Sequence, residues 1–455
     1  MAFTSINPTN EKIIRHYDEM SPKKVRDIAS LTHQAFLEWR DQPMTVRSQI
    51  LARVAEHLEK NKTSHATLMT HEMGKPIGQA LSEIEKCASA CRYFAEKAPE
   101  YLRDHIIPTE AQKSYVTFKP LGVILGIMPW NFPFWQVFRF VAPTLMAGNT
   151  ILIKHAPNVT GCALTLENIL QDIKAPPHLL RVLVTRNETI DDLIEDPLIA
   201  AVTLTGSPRA GRAVAQRAGA ALKKSVMELG GSDPYIILED ADLEKASETC
   251  LHFRLSNAGQ VCISPKRLII VDPVYDRFEK LVLEKTVAKK MGDPLDPHVD
   301  IGPMARKDLR HTLHEQVEKC RKMGAKVLVG GKIPKGPGWF YPPTLLTHIT
   351  PKMPAYHEEL FGPVIVLIRA KNEEEALRIA NDTPYGLGAG VFTQNLERGE
   401  GIARDKLEAG NCTVNTIVKS DPRLPFGGIK GSGYGRELAS FGIHEFVNVK
   451  TVIVE

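Results

Sequence analysis

The chain has 455 residues, 43% hydrophobic and 24% charged, and its 57 Lys and Arg against 53 Asp and Glu leave a net charge of +4. That composition fits a soluble globular protein of about three folding units, at roughly 150 residues each, and excludes disorder, collagen and coiled coil as the main architecture. A core of this size closes without a disulfide or metal staple, and so weak and dispersed a charge argues against nucleic acid as a partner.

In chain order, Met1 to His16 is polar and carries no apolar signal core. The first hundred residues then predict helices. Val25–Leu37 and Val46–Glu59 repeat apolar residues at three- and four-residue spacing, and Met69–Tyr101 continues the pattern. From residue 115 the texture changes. Gly122–Ile127, Thr150–Lys154, Leu179–Val184 and Ala201–Thr205 read as buried strands, separated by helical segments such as Thr160–Ile173 and Arg209–Leu222. This alternation predicts a parallel sheet wound by helices. A second series follows, with strands at Tyr235–Leu238, Leu268–Val271, Val327–Val329 and Val364–Ile368. Its helices are Leu243–Leu255, Tyr275–Lys289 and Glu373–Asn381. Gly330 to Pro343 is dense in Gly and Pro and predicts an irregular surface excursion. Lys113–Lys119 and Phe446–Val454 alternate in polarity and fit neither sheet. The second is either a strand that pairs with a partner subunit or an edge strand of its own domain.

The most apolar stretch, Val123 to Ile153, is interrupted by Pro129, Asn131, Pro133, Arg139, Pro143 and Asn149, which argues against a membrane span. The seven cysteines, at 87, 91, 162, 250, 262, 320 and 412, form no CxxC pair and no Cys/His cluster with zinc spacing, so no metal is expected. An odd, sparse set of thiols fits a reducing compartment, and a cytoplasmic protein is the expectation.

Four motifs carry possible chemistry. Asn257 to Cys262 places a cysteine after a polar, glycine-containing turn, either a presented nucleophile or a buried inert thiol. Glu228-Leu229-Gly230-Gly231 places a carboxylate at a strand end beside two glycines, either a movable general base or a solvated glutamate. Leu204 to Gly211 takes a strand into a helix through Gly206 and Ser207. That resembles a dinucleotide-binding turn, although it is neither GxGxxG nor a P-loop. Pro129-Trp130-Asn131-Phe132-Pro133 offers a side-chain amide to an oxyanion, or is simply a turn.

In this order, these segments resemble the aldehyde dehydrogenase superfamily over essentially the whole chain. The likeness includes the Lys154 segment, Gly292–Pro294 with Ile301–Pro303, Glu358 to Pro363 and Pro425 to Lys430. The resemblance implies an α/β fold. A Rossmann-like cofactor domain would use residues 1–103 and 122–230, and an α/β catalytic domain residues 231–425. A small β oligomerisation extension would use residues 104–121 and 440–455, giving a homodimer or homotetramer.

It further implies that Cys262 attacks the aldehyde carbon and that the Asn131 amide and the Cys262 N–H hold the oxyanion. Glu228 then activates water for hydrolysis of the thioester. Lys154 and Glu359 match ribose-binding positions, Gly206 and Ser207 the pyrophosphate and nicotinamide side, and Phe361, Trp130 and Leu229 the same cleft. Many NAD-preferring relatives have a glutamate three residues after the lysine. Here Pro157 stands there, so a 2′-phosphate meets no repulsion and NADP is expected, alone or alongside NAD.

Arg139, eight residues after Asn131 and on one helical face with Trp135, should have an anionic partner, either a substrate carboxylate or a structural ion pair. Succinate semialdehyde dehydrogenases carry arginine at this spacing, and Val418 to Pro425 resembles their short bacterial subgroup, with Ser420 supplying a hydroxyl. A second arginine of some members is Ser256 here, and Ile263 and Ser264 leave no second cysteine beside Cys262. The resemblance therefore implies oxidation of succinate semialdehyde to succinate. The alternatives are a broader dehydrogenase of ω-carboxy or aliphatic aldehydes, and a noncatalytic protein of the same fold.

Overall fold

The computed structural model describes residues 2–455. One sheet has six strands in the order Gly433–Tyr434, Lys224–Glu228, Ile199–Thr205, Val123–Met128, Thr150–His155 and Leu180–Val182. All its pairings are parallel except the last-formed, in which Gly433 and Tyr434 run antiparallel beside Glu228 and Met227. Val123–Met128 is fully apolar because both faces are covered by helices, so no polar alternation is needed. Its two neighbours come from different directions of the winding, Thr150–His155 on one side and Ile199–Thr205 on the other. At such a reversal the segments leaving the carboxyl ends of the strands diverge and open a crevice. Those segments here begin at Pro129, Ala156, Gly206 and Leu229, which brings four distant motifs to one edge.

The second sheet runs Lys326–Val329, Thr344–Thr347, Val364–Ala370, Arg267–Val271, Pro234–Ile237, Gly388–Phe392 and Asn411–Val414. Only Lys326–Val329 is antiparallel. A third sheet joins Val447–Val454, Lys113–Pro120 and His105–Ile106, all antiparallel. The two segments that fit neither large sheet therefore pair with each other over eight residues, from Val447 opposite Pro120 to Val454 opposite Lys113.

The amino-terminal region differs from the expected run of helices. A hairpin of Ala2–Ile6 and Ile13–Asp18 precedes them, and Ser5 within it donates to the buried Glu72 carboxylate at 2.6 Å. The helices are Pro22–Trp39, Met44–Lys60, Lys62–Met73 and Ile77–Tyr101. The helical pattern read over Met69–Tyr101 is divided between two helices because Gly74 adopts φ +78 and lies against Pro303, where no Cβ fits. The excursion Gly330 to Pro343 has no regular structure but is pinned by buried Trp339 and Tyr341.

Candidate active site

Cys262 follows a strained turn. Asn257 and Ala258 both hold positive φ, 51° and 52°, outside the range that side chains prefer. Gly259 continues at φ +72, and a Cβ there would run into the Gly362 carbonyl. Three groups hold the turn. Arg254, fully buried, donates to the carbonyls of Gly259, Leu360 and Val364 and to the Ser264 hydroxyl. Lys266 donates to the carbonyls of Val261 at 2.8 Å and Cys262 at 2.6 Å, and pairs with Glu359 at 3.2 Å. The Gln260 side chain bridges Ala305 and Asn257. Gly259→Ala is expected to cost about 2–4 kcal/mol of stability, read as a fall in Tm, from the forced clash with Gly362. An unchanged Tm would contradict this account of the turn.

Cys262 is half-buried, and burial pushes its thiol up to about 11, against the lowering pull of Lys266 and Arg139. The resting sulfur is therefore protonated near neutral pH, and attack needs that proton removed. The Cys262 N–H makes no hydrogen bond among the described residues. Asn131, also buried, gives one side-chain amide proton to the Gln260 backbone carbonyl at 3.0 Å, and its backbone carbonyl accepts from the Asn257 side-chain amide at 2.8 Å. The second Asn131 amide proton and the Cys262 N–H are the unengaged donors near the sulfur loop, the combination an oxyanion needs.

Glu228 ends its strand in the interior, with Oε1 lacking a hydrogen-bond partner. Burial holds its carboxyl well above the usual carboxylate range. Glu437 pushes the same way, while Arg139 and Arg436 oppose it. A Cβ on Gly427 would stand 2.8 Å from that oxygen, so the glycine leaves the carboxylate its space. No hydrogen bond joins Glu228 to Cys262 among the described residues. Arg139 is the charge both of them feel.

The residues alone leave Arg139 a choice between a substrate carboxylate and a structural ion pair, the resemblance favours the substrate carboxylate, and in the structure its guanidinium is engaged in an ion pair within the protein. Its Nε contacts the Glu437 carboxylate, both side chains being almost wholly buried. Its Nη2 donates to the Thr205 hydroxyl at 3.2 Å, and the guanidinium carbon lies 4.9 Å from the centre of the Phe426 ring. Only Nη1 is left without a partner in the described chain. Removing Arg139 would strand Glu437 in the interior, so its loss would reach beyond carboxylated substrates. Glu437 carries no motif in the sequence that would have marked it.

Of the remaining cleft residues, Lys154, Pro157, Gly206, Ser207 and Leu229 lie at or just beyond the carboxyl ends of strands, and Glu359 and Phe361 lie in the loop before Val364–Ala370. Lys154 makes no hydrogen bond or ion pair among the described residues, and burial pushes its ammonium down, Glu188 offsetting part of this. Pro157 begins a single tight turn, Pro157–Val159. The Gly206 N–H donates to the Glu228 carbonyl at 2.9 Å, and Ser207 caps the helix Pro208–Ala220 by accepting from the Ala210 N–H at 3.3 Å. Leu229 packs on Gly211 in that helix. Glu359 is engaged by Lys266 and by the Gly231 N–H at 3.1 Å. Trp130 and Phe361 meet edge to face, with centroids 5.8 Å apart. A helix amino terminus, an unpaired half-buried ammonium and an aromatic wall suit a dinucleotide with an added phosphate.

Cys262 opens onto a cavity of about 420 Å³, a size usual for small-molecule sites. Phe132, Phe253 and Phe426 supply apolar wall, while Lys86, Trp135, Arg139 and Ser420 supply polar groups. The helix that carries Trp135 and Arg139 is fixed at its amino end by Glu83, which accepts from the N–H groups of Phe134 at 3.0 Å and Trp135 at 2.9 Å. Glu83 is itself paired with the buried Lys75. No group of His, Cys, Asp and Glu suited to a metal ion occurs among the described residues. No helix there is long and apolar enough to cross a membrane.

The aldehyde dehydrogenase family model matches residues 1–452. A probable succinate-semialdehyde dehydrogenase (NADP(+)) of Synechocystis sp. is 46% identical over 452 residues, 99% of each chain. The succinate semialdehyde dehydrogenase (NAD(P)+) Sad of Escherichia coli K12 is 44% identical over 448 residues, 98% of this chain and 97% of the relative. The crystal structure of a succinic semialdehyde dehydrogenase from Streptococcus pyogenes, in complex with NADP+ as the cofactor, superposes with a TM-score of 0.97 at 36% identity, covering 100% of both chains. With its sheets, its cysteine turn and its full-length match in agreement, the chain belongs to the aldehyde dehydrogenase family.

Proposed function

We propose that the protein oxidises succinate semialdehyde to succinate with NADP, or NAD, as the hydride acceptor. The observation that carries this reading is the cavity in front of Cys262, whose apolar walls end in a cluster of cationic and hydroxyl groups. The names of the similar bacterial enzymes support it.

In the reaction, Cys262 Sγ bonds to the aldehyde carbon as its thiol proton passes to water in the cavity, and the carbonyl oxygen takes up negative charge. The Cys262 N–H and the free Asn131 amide proton stabilise that oxygen, already fixed in place before the charge develops. A nicotinamide held by the cofactor-side residues would supply the hydride acceptor for that carbon. Glu228, rotating within the space beside Gly427, takes a proton from water, which attacks the thioester and releases the acid and the Cys262 thiolate. Lys154, Ser207, Gly206, Leu229, Trp130, Glu359 and Phe361 form the cofactor side.

NADP suits Pro157, which places no carboxylate where a 2′-phosphate would lie, and suits the unpaired Lys154 ammonium. Pro157→Glu should shift the NADP-to-NAD ratio of kcat/KM toward NAD by about tenfold or more through charge repulsion. An unchanged ratio would contradict the placement. A panel of aldehydes of varied length, with and without a terminal carboxylate, tests the substrate. Succinate semialdehyde should give the highest kcat/KM, and a neutral aldehyde of equal length matching it would defeat the reading.

The assembly proposed is a homodimer or homotetramer joined through the three-stranded sheet, whose edge strand Val447–Val454 exposes Val449 and Ile453. Seven free thiols suit a cytoplasmic location.

A further inference from the structure

Lys86 lies on the helix Ile77–Tyr101 and lines the same cavity as Cys262. Its ammonium donates to the Ser420 hydroxyl oxygen at 2.8 Å and sits 4.0 Å from the centre of the Trp135 ring. Trp135 Nε1 donates to the same Ser420 oxygen at 2.9 Å. An oxygen that accepts two hydrogen bonds must direct its own proton elsewhere, and no acceptor for it exists among the described residues. Lys86 forms no ion pair there either. The charged groups around it are Glu83 on its own helix, Arg139 on the facing helix and Asp421 on the loop that carries Ser420. Glu83 is taken by Lys75, Arg139 by Glu437 and Asp421 by Arg423. Lys419, the other lysine on this cavity, is exposed at its rim over Phe253 and is well solvated. One ammonium without an anionic partner and one hydroxyl proton without an acceptor thus face the cavity.

We propose that Lys86, with the Ser420 hydroxyl, is the specificity-determining anchor for the distal carboxylate of the aldehyde. This deepens the substrate reading above and rests on it. Arg139, its charge already balanced by Glu437, supplies at most Nη1 to the same group. Desolvation beside Arg139 pushes the Lys86 ammonium down to about 8, against Glu83 and Asp421. A bound carboxylate relieves that cost, and the anchor is lost as the lysine deprotonates.

The test compares succinate semialdehyde with butanal, using NADP+ and the full-length enzyme, in wild type, Lys86→Met and Lys86→Arg. Lys86→Met should lower the kcat/KM ratio of the two aldehydes by about tenfold or more, the loss lying in the KM for the semialdehyde, and Lys86→Arg should restore most of it. In wild type alone, the ratio should fall as pH rises through about 8. Effects common to both aldehydes, such as Cys262 ionisation, cancel in it. A Lys86→Met enzyme that keeps the wild-type ratio, or a wild-type ratio flat from about pH 7 to about pH 10, overturns the role of Lys86 and leaves the substrate reading standing. A wild type that never prefers the semialdehyde defeats the substrate reading itself.

Discussion

Cys262→Ala is expected to lower kcat for aldehyde oxidation by about four orders of magnitude or more, while Tm and cofactor affinity stay close to wild type. The reason is covalent: no other thiol lines the cavity with Cys262, and without the sulfur no thiohemiacetal forms. The change is a small one for the fold, because the turn is held by Arg254, Lys266 and the Gln260 side chain through backbone groups that alanine retains. The pH dependence of the wild type follows from the same site. Burial raises the thiol to about 11, so the thiolate fraction climbs with pH throughout the neutral and mildly alkaline range. Alkylation of the resting enzyme by iodoacetamide should accelerate across that range, and the acceleration should vanish in Cys262→Ala. Residual oxidation within tenfold of wild type would contradict the nucleophile assignment.

Glu228→Gln should divide the reaction in two. The glutamine keeps the shape of the side chain but cannot take a proton from water. Acylation then proceeds once, and hydrolysis slows by about a thousandfold. A stopped-flow record should show a burst of reduced cofactor approaching one equivalent per subunit, followed by a very slow phase. In wild type, burial and Glu437 keep the Glu228 carboxyl protonated well above the ordinary carboxylate range. Its base form is therefore gained as pH rises, and the hydrolytic step should quicken in the same direction. A Glu228→Gln enzyme with wild-type steady-state turnover would remove Glu228 from the hydrolytic step.

The strands that build the crevice are legible in the sequence because a parallel strand buried on both faces is a short apolar run. Val123–Met128 and Thr150–His155 are such runs. The hairpin Ala2–Asp18 is not legible: its second strand is almost wholly exposed, and its anchor, Ser5 on Glu72, is a tertiary contact. The break at Gly74 likewise depends on Pro303, far along the chain.

Within the site, Cys262, Glu228 and Asn131 stand out because each follows a strand or helix end beside glycine or proline. Arg139 stands out as a charge in an aromatic stretch, but its partner Glu437 comes from near the carboxyl end, and spacing cannot reveal it. Lys86 reads as an ordinary helix lysine, since its cavity exists only once the helix Trp135–Met146 and the loop at Ser420 close around it. Lys266 and Arg254 are hidden for the same reason: their value lies in the carbonyls they gather from two segments about a hundred residues apart, Gly259–Cys262 and Leu360–Val364.

The most direct test of a covalent route through Cys262 is mass spectrometry of the Glu228→Gln enzyme quenched after mixing with succinate semialdehyde and NADP+. A succinyl thioester mapped to the Cys262 peptide, formed in step with the burst of NADPH, is the predicted result. NADPH formed while Cys262 remains an unmodified thiol, or an acyl group found only on another residue, would contradict it.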